Sequence, residues 1–86
     1  EIYNYKVPAY NISKTALNGY AVHLAHELKD TNVKVNAAHP GSVVTDMNAN
    51  GQIQVEEGAK TSVDLATLPA DGYTGHFIHL GQELPW

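Results

Sequence analysis

Val33-Lys34-Val35-Asn36-Ala37-Ala38-His39-Pro40-Gly41 is the stretch on which the fold turns. Its first four residues alternate and carry β-branched side chains at Val33 and Val35, which predicts a strand over 33–38. His39-Pro40-Gly41 then breaks it. Ahead of this strand, Ile12, Ala16, Leu17, Tyr20, Ala21, Leu24, Ala25 and Leu28 recur at three- and four-residue steps. That period predicts a helix over 10–30 with a broad apolar face, and Asn18, His23, Glu27 and Asp30 off it. Gly19 costs such a helix about 1 kcal/mol relative to alanine, so it reads as a place of close packing. Val7-Pro8-Ala9 favours an extended approach to the helix, and Asp30-Thr31-Asn32 reads as the turn out of it.

Behind the break, residues 39–54 read as a loop rich in Asn, Gln and Gly. A second helix is predicted over 55–68, with Glu56 and Glu57 at the positive end of its dipole and Pro69 closing it. Its apolar side is read as Ala59, Val63, Ala66, Leu65 and Leu68. Asp71-Gly72 signals a turn, and Gly75-His76-Phe77-Ile78-His79-Leu80 a last strand over 75–80. The order is helix, strand, loop, helix, strand. A strand–helix–strand unit of this length implies two parallel strands joined by a right-handed crossover. Parallel sheets are covered on both faces, which two strands cannot manage alone. The fold class is therefore α/β, with these residues forming the C-terminal part of a doubly wound parallel sheet.

The composition bounds the function. The 86 residues carry 5 Lys+Arg against 9 Asp+Glu, a net charge of −4, and no cysteine. All the basic residues are scattered lysines, at 6, 14, 29, 34 and 60, so no phosphate-tracking patch for nucleic acid is expected. No apolar run approaches the roughly 20 residues that span a bilayer. Glu1-Ile2-Tyr3-Asn4-Tyr5-Lys6 lacks the basic end and apolar stretch of a signal peptide. Without cysteine there is no disulfide framework, thiolate zinc site or thiol nucleophile. These features predict a soluble, cytoplasmic protein with a small-molecule partner and no nucleic-acid or membrane partner.

Two constellations carry chemistry. Tyr10 and Lys14 are four apart, so on a helix they stack on one face about 6 Å along the axis. A free tyrosine ionises near pH 10, which leaves about one molecule in a thousand as phenolate at pH 7. A lysine ammonium about 5 Å away, at an effective dielectric near 20, favours a phenolate by roughly 3 kcal/mol. That is enough to make a tyrosine a usable acid/base near neutrality. On spacing alone, the pair reads first as a half-buried aromatic beside a solvated charge. The second constellation is His39-Pro40-Gly41-Ser42-Val43-Val44-Thr45-Asp46, directly behind a strand. Ligands of doubly wound sheets sit beyond the carboxyl ends of strands, and Pro-Gly lets backbone groups approach closely there. Read alone, it is a turn.

Tyr10-Asn11-Ile12-Ser13-Lys14 with Ala16-Leu17, then Val33-Lys34-Val35-Asn36-Ala37 and Pro40-Gly41-Ser42-Val43-Val44-Thr45-Asp46-Met47, together resemble the short-chain dehydrogenase/reductase family. The tail from Glu57-Gly58-Ala59 through Leu65-Ala66-Thr67-Leu68-Pro69 to Gly75-His76-Phe77 is similar to its carbonyl-reductase-like members. The resemblance implies an NAD(P)H-dependent oxidoreductase reducing a carbonyl to an alcohol, or the reverse, on a Rossmann-like fold. By that resemblance Tyr10 is the catalytic acid/base, and Lys14 is the partner that favours its phenolate and binds the nicotinamide ribose. Pro40 and Gly41 shape the cofactor loop, Val43 offers backbone groups to the carboxamide, and Thr45 bonds the cofactor. Ser13 takes a supporting place. NADP is the implied cofactor, with NAD the other choice.

The chain departs from the family pattern in what it lacks. It contains no Gly-x-x-x-Gly-x-Gly turn for the pyrophosphate, and only nine residues precede Tyr10, where the family's serine lies about a dozen ahead. Residues 1–86 are therefore expected to be the C-terminal fragment of a single NAD(P)-binding Rossmann-fold domain, inactive and weakly structured alone. A non-catalytic interaction module derived from the family is the rival reading. The remaining signals are weaker. His23 with His26 or Glu27 has helical metal spacing but no third ligand, so no metal is expected. His39 reads as edging the cofactor pocket or as structural, His76 and His79 as structural, and Met47 as an apolar wall or a plain loop residue. The exposed face of the first helix is where a homo-oligomer would form.

Overall fold

The register between residues 35–39 and 74–78 ties the two halves of the chain together. The computed structural model describes residues 7–86. Its elements are α1 (Pro8–Glu27), β1 (Ala37–Ala38), α2 (Val55–Ala66), β2 (Phe77–His79) and β3 (Gln82–Leu84). The sheet order is β1-β2-β3. β1 and β2 run parallel, with Ala37 opposite Phe77 and Ala38 opposite Ile78, and α2 lies in the connection between them. β2 and β3 run antiparallel, with Ile78 opposite Glu83 and His79 opposite Gln82.

The strand expected over 33–38 forms a ladder only at its end. The Ala37 amide donates to the His76 carbonyl at 2.9 Å and the His39 amide to the Ile78 carbonyl at 2.8 Å. Before them, side chains supplement one backbone bond, from the Gly75 amide to the Val35 carbonyl at 2.7 Å. The Thr74 hydroxyl accepts from the Val35 amide at 2.8 Å, while the Asn36 amide group donates to the Tyr73 carbonyl at 3.2 Å and accepts from the His76 amide at 3.0 Å. The backbone there is paired, as a partly buried backbone must be, but not by a regular ladder.

β3 is an element that the sequence reading did not contain. Leu80 and Gly81 both have positive φ, 46° and 82°, and they form the two-residue loop between His79 and Gln82. Two left-handed central residues give the primed turn whose twist suits a hairpin. Asn or Asp normally signals that turn, and Leu80 hides it. The strand expected over 75–80 accordingly stops at His79.

The expected bounds of both helices shift. α1 starts at Pro8, whose missing amide hydrogen is harmless in a first turn, so Val7-Pro8-Ala9 enters a helix rather than an extended approach. Residues 1–6 of that approach lie outside the described residues. α1 ends at Glu27 rather than 30, where the Thr31 hydroxyl donates to the Leu28 carbonyl at 2.6 Å and accepts from the Val33 amide at 3.1 Å. Its inward line is Asn18, Ala21, Leu24, Ala25 and Leu28, so Asn18 lies on the packed face after all. Ile12, Leu17 and Tyr20 remain exposed, at 69%, 55% and 63%. Among the described residues Gly19 meets no close neighbour, since a Cβ there would find nothing within 4 Å.

α2 stops at Ala66 rather than 68, and Thr67 bonds back to the Val63 carbonyl at 2.9 Å. Its buried positions are Gly58 and Thr61, with Leu65 and Leu68 half-buried beyond them. Ala59, Val63 and Ala66, expected to face inward, are exposed. Two polar or small residues rotate the helix. A Cβ on Gly58 would lie 2.5 Å from Val43 Cγ2, and the Thr61 hydroxyl, 1% exposed as a residue, accepts from the Leu80 amide at 2.9 Å. The core is small, with Ala25 and Ile78 as its buried apolar residues among those described.

Thr61→Val keeps the shape and removes the acceptor of the Leu80 amide. It is expected to cost about 1–3 kcal/mol, read as a lower midpoint in urea. Gly19→Ala meets no neighbour and is expected to raise the same midpoint by up to about 1 kcal/mol through helix propensity.

Candidate active site

The first turn of α1 presents Tyr10 and Lys14 on one side of the helix. The Lys14 ammonium lies 5.5 Å from the centre of the Tyr10 ring, above its face, where a cation is attracted by the ring quadrupole. Ser13 is occupied locally, its hydroxyl donating to the Tyr10 carbonyl at 2.7 Å. Facing this turn is the carboxyl end of β1, where the small side chains of Ala37 and Ala38 leave room. Between them lies a cleft of about 600 Å³, within the usual range for small-molecule sites. Tyr10, Lys14 and Leu17 form one wall, His39, Pro40 and Gly41 another, and Phe77 a third. Phe77 is stacked on Trp86 at 5.4 Å between ring centres, and the Trp86 indole donates to the Gly75 carbonyl at 3.2 Å.

Four of the residues singled out in the sequence, Tyr10, Lys14, Pro40 and Gly41, therefore meet at one cleft. His39 also lines it. Val43 and Thr45 do not line it; they belong to a lobe, residues 42–53, that folds back on itself. The Ser42 carbonyl accepts from the Gln52 and Ile53 amides at 2.7 and 3.0 Å, and the Val44 amide donates to the Ile53 carbonyl at 2.8 Å. Asn48 organises the lobe, exchanging backbone bonds with Thr45 at 3.0 and 3.2 Å and donating from its side chain to the Val43 carbonyl at 3.1 Å. The loop expected over 39–54 is thus an ordered excursion. Met47 at its tip is 98% exposed and forms no wall.

Gly41 turns the chain at φ +82°, in the left-handed region that glycine tolerates. A Cβ there would come within 3.0 Å of both His79 Cε1 and Ile53 Cδ1. The Pro-Gly turn is held between the sheet end and the lobe. Among the described residues, no group of three or more His, Cys, Asp or Glu could hold a metal ion, and no helix is long and apolar enough to cross a membrane.

The family model for short chain dehydrogenase matches residues 2–56, which include the Tyr10–Lys14 step, β1 and the lobe. The chain belongs to the short-chain dehydrogenase family. Among curated members it is 52% identical over 62 residues to a (+)-neomenthol dehydrogenase of Arabidopsis thaliana, covering 71% of this chain and 20% of that protein. It is 40% identical over 77 residues to carbonyl reductase (NADPH) 3 of Homo sapiens, covering 81% and 28%. The solved structure of salutaridine reductase from Papaver somniferum superposes with a TM-score of 0.71 at 41% identity, over 80% of this chain and 23% of that one. The chain thus spans between a fifth and a third of the length of these relatives, and its three-stranded α/β unit is part of the short-chain dehydrogenase fold.

Leu17, Asn18, Asn36 and Phe77 line the cleft without having been singled out in the sequence. Two of them left a signal. Asn18 extends the Tyr10–Lys14 line by one more four-residue step, and Asn36 is, with Lys34, one of the two polar residues in the predicted strand.

Gly51 is the position where the lobe tolerates least. A Cβ there would sit 2.4 Å from the Val43 carbonyl carbon and 2.6 Å from the Val44 nitrogen, both backbone atoms. Gly51→Ala is expected to destabilise the fold by about 1–3 kcal/mol. A denaturation midpoint equal to that of the parent protein would show that the lobe is not packed as described.

Proposed function

We propose that this chain is the C-terminal portion of a cytoplasmic short-chain reductase subunit that reduces a small-molecule carbonyl to its alcohol, or runs the reverse, with NADP(H). The reading rests on one observation above the others: the family's tyrosine–lysine step and its Pro-Gly turn face each other across a single cleft. The reductases and dehydrogenases it resembles act on small molecules by name, and the carbonyl reductase among them is named for NADPH. NAD is the alternative cofactor.

The residues present suit the nicotinamide end of such a cofactor. The cleft offers one cation, a phenol, the small apolar walls of Ala37 and Ala38, and a glycine turn that admits close approach. No glycine-rich turn for a pyrophosphate stands in these 86 residues, which is why the chain is read as a portion of a larger site. When bound, the dinucleotide supplies the hydride that reaches the carbonyl carbon. Tyr10 gives its hydroxyl proton to the carbonyl oxygen, and the Lys14 ammonium compensates the phenolate left behind and hydrogen-bonds the ribose hydroxyls. Pro40 and Gly41 shape the wall opposite, while Val43, through backbone groups, and Thr45, through its hydroxyl, lie off the cleft in the lobe and would reach the cofactor only beyond its nicotinamide end. Ser13 holds the Tyr10 carbonyl and so supports the helix start. The exposed Ile12 and Tyr20 on α1 are where a second subunit would pack.

In the complete gene product, Tyr10→Phe is expected to lower turnover by about 10²–10⁴-fold while NADPH binding, followed by its fluorescence, persists. Lys14→Ala is expected to lower both turnover and NADPH affinity. Near-normal carbonyl-dependent NADPH consumption in Tyr10→Phe would remove the assigned role.

A further inference from the structure

The cleft wall holds a device that neither the family relationship nor the proposed chemistry uses. His39 ties three segments together. Its amide donates to the Ile78 carbonyl at 2.8 Å, its carbonyl accepts from His79 Nδ1 at 2.7 Å, and its own Nδ1 accepts from the Gly41 amide at 3.0 Å. The last contact fixes the tautomer. Because an amide hydrogen points at Nδ1, that atom carries no proton, and neutral His39 holds its proton on Nε2. The same reasoning puts a proton on His79 Nδ1, since a carbonyl can only accept.

Protonation therefore affects the two rings differently. His79 keeps its bond to the His39 carbonyl in either charge state. His39 loses its bond to Gly41, because protonated Nδ1 becomes a donor facing a donor. We infer that His39 is a positioning residue for the cleft: neutral, it holds the Pro40–Gly41 turn against the sheet end, and protonated, it lets that turn go. The inference rests on the cleft being the nicotinamide site.

The surroundings add nothing that would hold a protonated His39 in place. From β2 it faces His79, with ring centres 5.1 Å apart and edge to face, and the uncharged Phe77 at 6.0 Å. Across the cleft stand Tyr10 and Lys14 of α1. From the lobe, the side chain at the turn is the apolar Ile53. Among the described residues no carboxylate pairs with either ring, and Glu83 is engaged by His76 at 3.2 Å. The ring of His39 is exposed, so protons reach it.

Asparagine provides the discriminating variant. Its Oδ1 reaches the amide two residues on, in the same way as His39 Nδ1, but does not titrate. In the complete gene product, exchange of the Gly41 amide, corrected for intrinsic rate, is expected to rise about three- to tenfold from about pH 7.5 to about pH 5.5, and to stay within about twofold in His39→Asn. A pH-independent Gly41 amide in the parent protein, or an equal rise in His39→Asn, would overturn the inference. The two readings fail separately. Absence of NADPH binding at either pH would sink the oxidoreductase reading while Gly41 exchange still decides the latch. Intact NADPH binding with a pH-independent Gly41 would sink the latch alone.

Discussion

Everything in this structure hangs on the pairing of residues 35–39 with 74–78. That seam joins sequence positions about forty apart, and closing so long a loop costs entropy that short local contacts do not repay. The chain meets the cost with dense bonding in a narrow zone. Val35, Asn36, Ala37 and His39 each bond across it, through backbone, hydroxyl or amide groups. Because the seam is parallel, its partners need a crossover, and α2 supplies one. Because α1 precedes the seam, its first turn is delivered to the carboxyl end of β1. The cleft is a consequence of that order rather than of any single side chain.

Side-chain hydrogen bonds join distant segments of this small fold. Asn36 and Thr74 supplement a sparse backbone ladder, and Thr61 takes the place of an apolar residue at the centre of α2. Each polar group is satisfied, and no buried side-chain nitrogen or oxygen is left without a partner among the described residues. Such bonds are worth little net when made but costly when broken. A fold with two buried apolar residues among those described depends on them for its register more than a larger core would.

Element types and their order were legible in the sequence because helix and strand periods are local. The first helix and the Pro-Gly break follow from residues 10–41 alone, and the Tyr10–Lys14 step needs only helical geometry. What was not legible depends on contacts between distant residues. The inward face of α2 is set by Val43 lying under Gly58 and by Leu80 meeting Thr61, neither visible in the pattern of Ala59, Val63 and Ala66. The hairpin to β3 hides behind Leu80 in a conformation that leucine rarely adopts. The length of β1 is decided by which groups at 73–76 answer it. At the cleft, His39 was singled out with its role open, because the direction of an imidazole nitrogen is a property of the turn that surrounds it.

The division of labour across the cleft also explains why one wall is fixed and the other can respond. Tyr10 and Lys14 ride on a continuous helix, so their spacing is set by the rise of the backbone and survives any loosening of the loops. Pro40 and Gly41 have no such frame. Gly41 adopts a left-handed conformation that the chain enters at no steric cost, but glycine also leaves it freely. What holds the turn must then come from outside it, and the structure offers the His39 nitrogen, the His79 ring and Ile53. Two of these are shape contacts that vary smoothly with position. The third is a hydrogen bond that exists only while one nitrogen is unprotonated. A wall built in this way is rigid under one condition and loose under another, while the wall carrying the proposed proton donor keeps its geometry in both.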